Sequence, residues 1–273
     1  MSKRATRIYS TRLCSARQVG QCATFARKLA LEAGETLKRA YYRPRSIAHK
    51  GPIDLVTSAD LASEKLIVDA INRRFPTHSI LAEERSEITG GSEFRWVIDP
   101  LDGTTNFAHG YPAFCVSIAV QYSGVSIVGV VYDPLRDELF SATVDGGARL
   151  GRRQIHISKT TKLANALCAT GFPYDVHQTR KDNLANFSRI IKRARGIRRG
   201  GSAALDLSYV ACGRFDLYWE MKLAPWDTAA AALIATEAGA QVSDFSGKPF
   251  EIEKKEIIAG VPAVYNEGLA LIK

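Results

Sequence analysis

Apolar residues early in the chain recur at the helical interval. Val19, Cys22, Ala23, Phe25, Ala26, Leu29, Ala30, Ala33 and Leu37 form one stripe, which predicts an amphipathic helix from about Ser15 to Tyr41. After the loop RPRSIAHKGPID the interval returns in SADLASEKLIVDAINRRF, predicting a second helix with Ser58 as its N-cap and Pro76 as its stop. Short strand-like runs follow, SILAE, FRWVID, FCVSIAVQY, VSIVGVVYD and ELFSATV, with turn signals at Ser123-Gly124 and Asp133-Pro134. They predict an antiparallel meander. DGGARLG is the clearest Gly-rich break, and beyond it the strand candidates ALCATG, GIRRGG and FDLYWE alternate with the helical stretches RKDNLANFSRIIKRA, SAALDLSYVACG and WDTAAAALIATEAG. The pattern divides the chain into a basic tail over 1–14, expected to be disordered, an N-terminal α+β half over 15–146 and a C-terminal α/β half over 147–273. Helices layered on mostly antiparallel sheets predict an α+β sandwich rather than a Rossmann sheet.

With 273 residues, 46% of them hydrophobic, the chain can bury a large core. No uninterrupted apolar run approaches the ~20 residues of a membrane helix, so a soluble protein is expected. Cys14, Cys22, Cys115, Cys168 and Cys212 are odd in number and form no CxxC. That fits a reducing cytoplasm better than a disulfide framework or a thiolate zinc site. The net charge of +9 admits two kinds of partner, a phosphorylated small molecule or a nucleic-acid backbone. No acid precedes Glu32, so the opening MSKRATRIYSTRLCSARQ reads either as a basic tail or as an organelle transit peptide; the lack of an amphipathic apolar face favours the tail.

Candidate chemistry begins where an apolar strand runs into acids. In WVIDPLDGTTNFAHG the lead from Trp96 to Ile98 meets Asp99 and then Asp102. An Asp-Pro start predicts a type I turn that folds Asp102 back to within roughly 7 Å of Asp99. Two carboxylates that close repel unless a cation lies between them, and hard oxygen donors, with the Leu101 carbonyl as a further one, select Mg²⁺ or a similar ion. Gly103, Thr104 and Thr105 then offer close backbone approach, amides and hydroxyls, which suits metal-assisted hydrolysis of a phosphate ester. SILAEERSE adds Glu83 and Glu84 at a strand end, and PWDTAAAALIATEAG adds Asp227 in the first turn of a helix. Singly, each has an ordinary reading as an Asp-Pro turn, an acidic loop or a helix cap. Together the three acidic sites favour a shared metal centre.

These stretches resemble the inositol monophosphatase family of Mg²⁺-dependent, lithium-sensitive sugar phosphatases. The likeness runs from about Ser15 onward and is carried by WVIDPLDGTTNFAHGYP and PWDTAAAALIATEAGAQV, flanked by DLVTSAD, LAEE, VGVVYDPLRDELFSA, GFP and GSAALDLSYVACGRFD. It implies a layered αβαβα sandwich of the sugar-phosphatase type, two or three Mg²⁺ ions per site, and a homodimer that does not bind membranes. It also implies roles for residues. Glu83, Asp99 and the Leu101 carbonyl would hold one metal, and Asp99, Asp102 and Asp227 a second. Thr104 paired with Asp60 would activate the attacking water, with Glu83 assisting. Gly103 and Thr104 amides would take the phosphate, and Asp102, Ala203 and Glu220 the polyol hydroxyls. Lys50 matches a family lysine near the metals; taken alone it reads as a solvated surface charge.

The implied reaction is hydrolysis of inositol 1-phosphate to inositol and phosphate without a phosphoenzyme. Arg198 and Arg199 precede the polyol-contacting segment and either hold a second phosphate or face solvent. Fructose 1,6-bisphosphate therefore stays open, as do histidinol phosphate and 3'-phosphoadenosine 5'-phosphate, substrates of other branches. A rival class of function rests on RIIKRARGIRR, residues 189 to 199, with six basic side chains and no acid. It would bind RNA or transcription machinery through phosphates, although the run lacks aromatics for base stacking and also reads as a solvated helix face.

Overall fold

The computed structural model describes residues 14–43, 47–49 and 55–272. The basic tail up to residue 13 and Lys50 lie outside the described residues. Helix α1 (Ala16–Tyr41) follows the predicted stripe and is closed at its start by a capping box: Gln18 N–H donates to Ser15 Oγ, and Ser15 N–H to Gln18 Oε1. Cys14, just before it, is buried in the same core. Strands β1 (Ile47–His49) and β2 (Leu55–Thr57) pair as a short ribbon leading into α2 (Ser58–Arg74). The cap of α2 is Thr57 rather than Ser58. Thr57 Oγ1 accepts from Ala59 and Asp60 N–H, and the Asp60 carboxylate returns to Thr57 N–H at 2.9 Å.

A seven-stranded sheet contains the expected meander. Its strands are β3 (Ser79–Ala82), β4 (Phe94–Asp102), β5 (Cys115–Tyr122), β6 (Val125–Asp133), β7 (Glu138–Thr143), β8 (Gly147–Leu150) and β9 (Arg153–Ile155), in that order across the sheet. The meander forms β3 to β7, antiparallel except for its first strand, which lies at the edge. In the whole sheet only β3 with β4 is parallel; helix α3 (Thr104–His109) sits between β4 and β5. Gly147 is thus part of a hairpin inside this sheet, and the passage to the second sheet comes after Ile155.

The second sheet contains β10 (Leu167–Thr170), β11 (Gly196–Arg198), β12 (Leu217–Met221), β13 (Gln241–Ser243) and β14 (Glu256–Gly260), ordered β11-β10-β12-β14-β13. It is mixed, because β10 pairs parallel with both β11 and β12. The remaining helices are α4 (Leu184–Ile191), α5 (Ala203–Ala211), α6 (Pro225–Glu237) and α7 (Pro262–Leu269). Three cores give the layers. Helices α1 and α2 cover one face of the large sheet, α5 and α6 fill the space between the sheets, and α4 and α7 cover the outer face of the small one. Alternation along each strand serves two layers at once: Trp96 and Ile98 face the first core while Val97 faces the second. The result is the expected αβαβα sandwich. Among the described residues no helix is long and apolar enough to cross a membrane.

Candidate active site

Strand β4 does not end in a turn at Asp99. It continues through Asp102, with Asp99 opposite Ser117 and Asp102 opposite Cys115, so three steps on β4 match two on β5. The extra residue is a bulge, which corrects the expected type I turn. Pro100 has no N–H for the ladder, and Leu101 N–H turns to Asp99 Oδ1 at 3.0 Å, so regular pairing fails there. The bulge sets both aspartates on the wall of one cavity.

Glu83, Asp99, Leu101, Asp102 and Asp227 all line that cavity, whose volume is about 700 Å³. Glu83 arrives from the turn after β3, and Asp227 from the first turn of α6, where its Oδ2 accepts from Ala224 N–H at 2.7 Å. Asp102 Oδ2 accepts from Ser202 Oγ at 2.6 Å and Ala204 N–H at 2.7 Å. Burial pushes the Asp99 carboxyl well above the ordinary range, and the negative charges of Glu83, Asp102 and Asp227 push it further. Burial and then Asp102 raise Asp227; burial raises Asp102 against the bonds from Ser202 and Ala204. No three acidic, histidine or cysteine side chains among the described residues are already closed around one ion position. Four mutually repelling carboxylates and a carbonyl on one wall are nevertheless a hard-oxygen donor set, and a divalent cation would relieve the repulsion. The residues fit such an ion.

Behind this wall Thr104 and Asp60 are hydrogen-bonded to one another. Thr104 Oγ1 is 3.1 Å from Asp60 Oδ1 and 3.0 Å from the Leu101 carbonyl, and can donate to either. Asp60 is fully buried, which raises its pKa against the bonds it accepts from Thr57 and Thr104. Gly103, with φ +96, starts α3; an added Cβ would lie 2.9 Å from the Ala113 carbonyl, so only glycine suits the position. The first internal bond of α3 is Phe107 N–H to Gly103 O, so the amides of Thr104 and Thr105 precede it, and both residues line the cavity.

Ala203, Glu220 and Arg199 also line the cavity, Ala203 next to Asp102 between its partners Ser202 and Ala204. Burial lifts the Glu220 carboxyl to about 7, although Tyr218 Oη donates to it at 2.5 Å and Arg199 favours its charged form. Arg199 and Arg198 part company: Arg198 does not line the cavity, and its Nη1 donates to the carbonyl of Ile197. The basic run is also split, since Arg189 Nε turns inward to the Leu271 carbonyl at 2.6 Å. Ser202 and Asn106 also hold the site together, and neither is singled out by the sequence motifs. Ser202 caps α5 and grips Asp102, and its position ahead of an Ala-rich helix was the available signal. Asn106 Nδ2 donates to the Ala113 and Gly200 carbonyls at 2.7 and 2.9 Å, tying α3 to the segments before β5 and α5. Nothing local marks it.

A model of the inositol monophosphatase family matches residues 19–272. The Nus factor SuhB of Pseudomonas aeruginosa is 46% identical over 244 residues, covering 86% of this chain and 89% of the relative. The inositol-1-monophosphatase of Synechocystis sp. is 44% identical over 244 residues, covering 89% of this chain and 85% of the relative. Among solved structures, the inositol monophosphatase from Anabaena (Nostoc) sp. has a TM-score of 0.85 at 42% identity, covering 93% of this chain and 96% of that one. The layered sandwich with an acid-walled cavity at the β4 bulge is a sugar-phosphatase fold. The chain belongs to the inositol monophosphatase family.

Proposed function

We propose that this protein is a Mg²⁺-dependent phosphomonoesterase that hydrolyses inositol 1-phosphate to inositol and phosphate. The observation that carries the reading is the meeting of Glu83, Asp99, Asp102 and Asp227 on one cavity wall beside the Thr104–Asp60 pair. Two or three Mg²⁺ ions held by Glu83, Asp99, the Leu101 carbonyl, Asp102 and Asp227 would activate the attacking water and neutralise charge on the phosphate and leaving oxygens. Thr104 Oγ1 donates its proton to Asp60 Oδ1, which leaves the hydroxyl oxygen to accept from the water and orient it in line with phosphorus. Asp60, whose pKa is raised by burial, is able to take up the proton passed through Thr104 Oγ1. The amides of Gly103 and Thr104 receive the phosphate oxygens. Asp102, the Ala203 backbone and Glu220 engage the polyol hydroxyls, and the departing sugar oxygen takes its proton from solvent.

The test is phosphate release by the purified protein with Mg²⁺ across inositol 1-phosphate, fructose 1,6-bisphosphate, histidinol phosphate and 3'-phosphoadenosine 5'-phosphate. Inositol 1-phosphate is expected to give the highest kcat/KM, and turnover of none of the esters overturns the reading. Preference for the bisphosphate would move the assignment to a sugar bisphosphatase with Arg199 on the second phosphate. Inhibition by lithium, a cytoplasmic location and a homodimer belong to the same reading, the last checked by light scattering. A second reading is favoured by one observation: the relative from Pseudomonas aeruginosa bears the name Nus factor. It makes this chain an RNA or transcription-machinery binder through Lys192, Arg193, Arg195 and Arg198, and predicts salt-sensitive RNA binding that survives Asp99→Asn.

A further inference from the structure

One face of α2 supports three separate segments that carry cavity-lining residues. Asp60, Ser63 and Glu64 are spaced i, i+3 and i+4, so they share a side of the helix, and none is more than 1% exposed. Asp60 receives Thr104. Ser63 Oγ donates to the Pro100 carbonyl at 2.9 Å, inside the bulge that carries Asp99. Glu64 holds the turn that carries Glu83: its Oε2 accepts from Glu84 N–H at 2.8 Å and its Oε1 from Arg85 Nε at 2.6 Å. The same turn is closed beyond Glu83 by reciprocal bonds between Ile80 and Ile88, at 2.8 and 2.9 Å.

A carboxylate this deep in a helix face is unfavourable unless it is both paired and hydrogen-bonded, and an apolar residue would extend the packed surface that Ile67, Val68 and Ile71 already make. Glu64 spends both oxygens on the two residues that follow Glu83. We infer that Glu64, working with Arg85, is a positioning residue that fixes the direction of Glu83 at the metal centre. The inference rests on the proposed metal-dependent activity. It assigns Glu64 no contact with substrate; it acts through the backbone of the Glu83 turn, as outer partners of metal ligands commonly do.

The test compares wild type, Glu64→Ala, Glu64→Gln and Arg85→Ala by three readouts: Mg²⁺ titration calorimetry, amide exchange across residues 80–88 without metal, and steady-state kinetics. Glu64→Ala is expected to weaken Mg²⁺ binding by about 10–100-fold, to lower kcat with KM little changed, and to speed exchange at Glu84. Glu64→Gln keeps an oxygen for Glu84 N–H and restores most of both. Arg85→Ala removes a side chain that is one-third exposed, so it gives the same readouts should Glu64→Ala fail to fold. A folded Glu64→Ala or Arg85→Ala protein with wild-type Mg²⁺ affinity and unchanged exchange overturns the inference while the function stands. A wild-type protein that binds no Mg²⁺ overturns the function and this assignment with it.

Discussion

Gly129 lies in the middle of β6 directly beneath α6, and a methyl group there meets backbone. A Cβ at this position would stand 2.4 Å from the Ala230 carbonyl oxygen, 3.1 Å from its carbon and 3.2 Å from its Cα. Carbon–oxygen contacts normally settle at about 3.3–3.6 Å, so helix and strand must separate by about 1 Å. The obstructing atoms are main chain and cannot rotate away, and Ala229, Ala230 and Ala231 around them are already buried flush against the sheet. Overpacking of this kind costs about 1–3 kcal/mol, and the rigid obstacle puts Gly129→Ala at the upper end, about 3 kcal/mol. That is a large part of a typical total stability of about 5–15 kcal/mol. Asp227 sits on the same helix less than one turn before Ala230, so a shift of this size reaches the acidic wall of the cavity. A displacement of about 1 Å there is expected to lower kcat by about 10²-fold. Urea unfolding followed by circular dichroism reads the stability, and phosphate release with Mg²⁺ calorimetry on the folded variant reads the site. A variant within about 0.5 kcal/mol of wild type, with unchanged Mg²⁺ affinity, would refute the claim that α6 is seated on the sheet through Gly129.

Asp99→Asn is expected to abolish phosphate release while leaving the metal-free protein as stable or more so, because one of four repelling charges is gone; a lower melting temperature without Mg²⁺ contradicts this. Since Asp99 holds its proton more tightly when folded, its ionisation destabilises the metal-free protein as pH rises above the ordinary carboxylate range, and saturating Mg²⁺, at about 100 Kd, should restore about 2.7 kcal/mol. Thr104→Ala is expected to reduce kcat by about 10²–10⁴-fold with KM little changed, and Thr104→Ser to recover much of it; equal loss in both would remove the hydroxyl from the relay. Away from the site, burial works against the charge of Asp244, yet bonds from Lys254, Ser246 and the Lys248 N–H hold its carboxyl at about 2. A depressed pKa stabilises the fold above the unfolded value near 4 and loses that contribution as pH falls toward 2, by about 1 kcal/mol once solvent screening is allowed for. Lys254→Met should therefore shift acid unfolding to higher pH, and an unchanged acid midpoint would count against the pairing.

Much of the scaffold is written locally. The stripe from Val19 to Leu37 specifies α1 because one helical face must be apolar, and the alternation through Trp96, Val97 and Ile98 specifies a strand that faces two cores. The acids of the site were also visible, because carboxylates at Asp99, Asp102 and Glu83 interrupt strands that otherwise favour burial. Less was visible where elements are short: β8 falls in a Gly-rich break, and β9, β13, β14 and α7 give no periodic signal long enough to separate from loop.

What the chain alone could not determine is who meets whom. The partner of β3 is parallel, the small sheet is mixed, and the Asp99–Asp102 segment bulges instead of turning, because pairing with β5 continues on both sides of Pro100. Only packing brings Asp227 from α6 to the wall where Glu83 and Asp99 stand, and only packing separates Arg199, which faces the cavity, from Arg198, which does not. Glu64 makes the distinction plainest. In the sequence it is one more acid on an amphipathic helix, and its meaning appears once α2 lies against the turn after β3, since a buried charge is tolerated only where specific partners surround it. Residue type and spacing determined the elements and the donor chemistry; contacts between distant segments decided the geometry in which that chemistry operates.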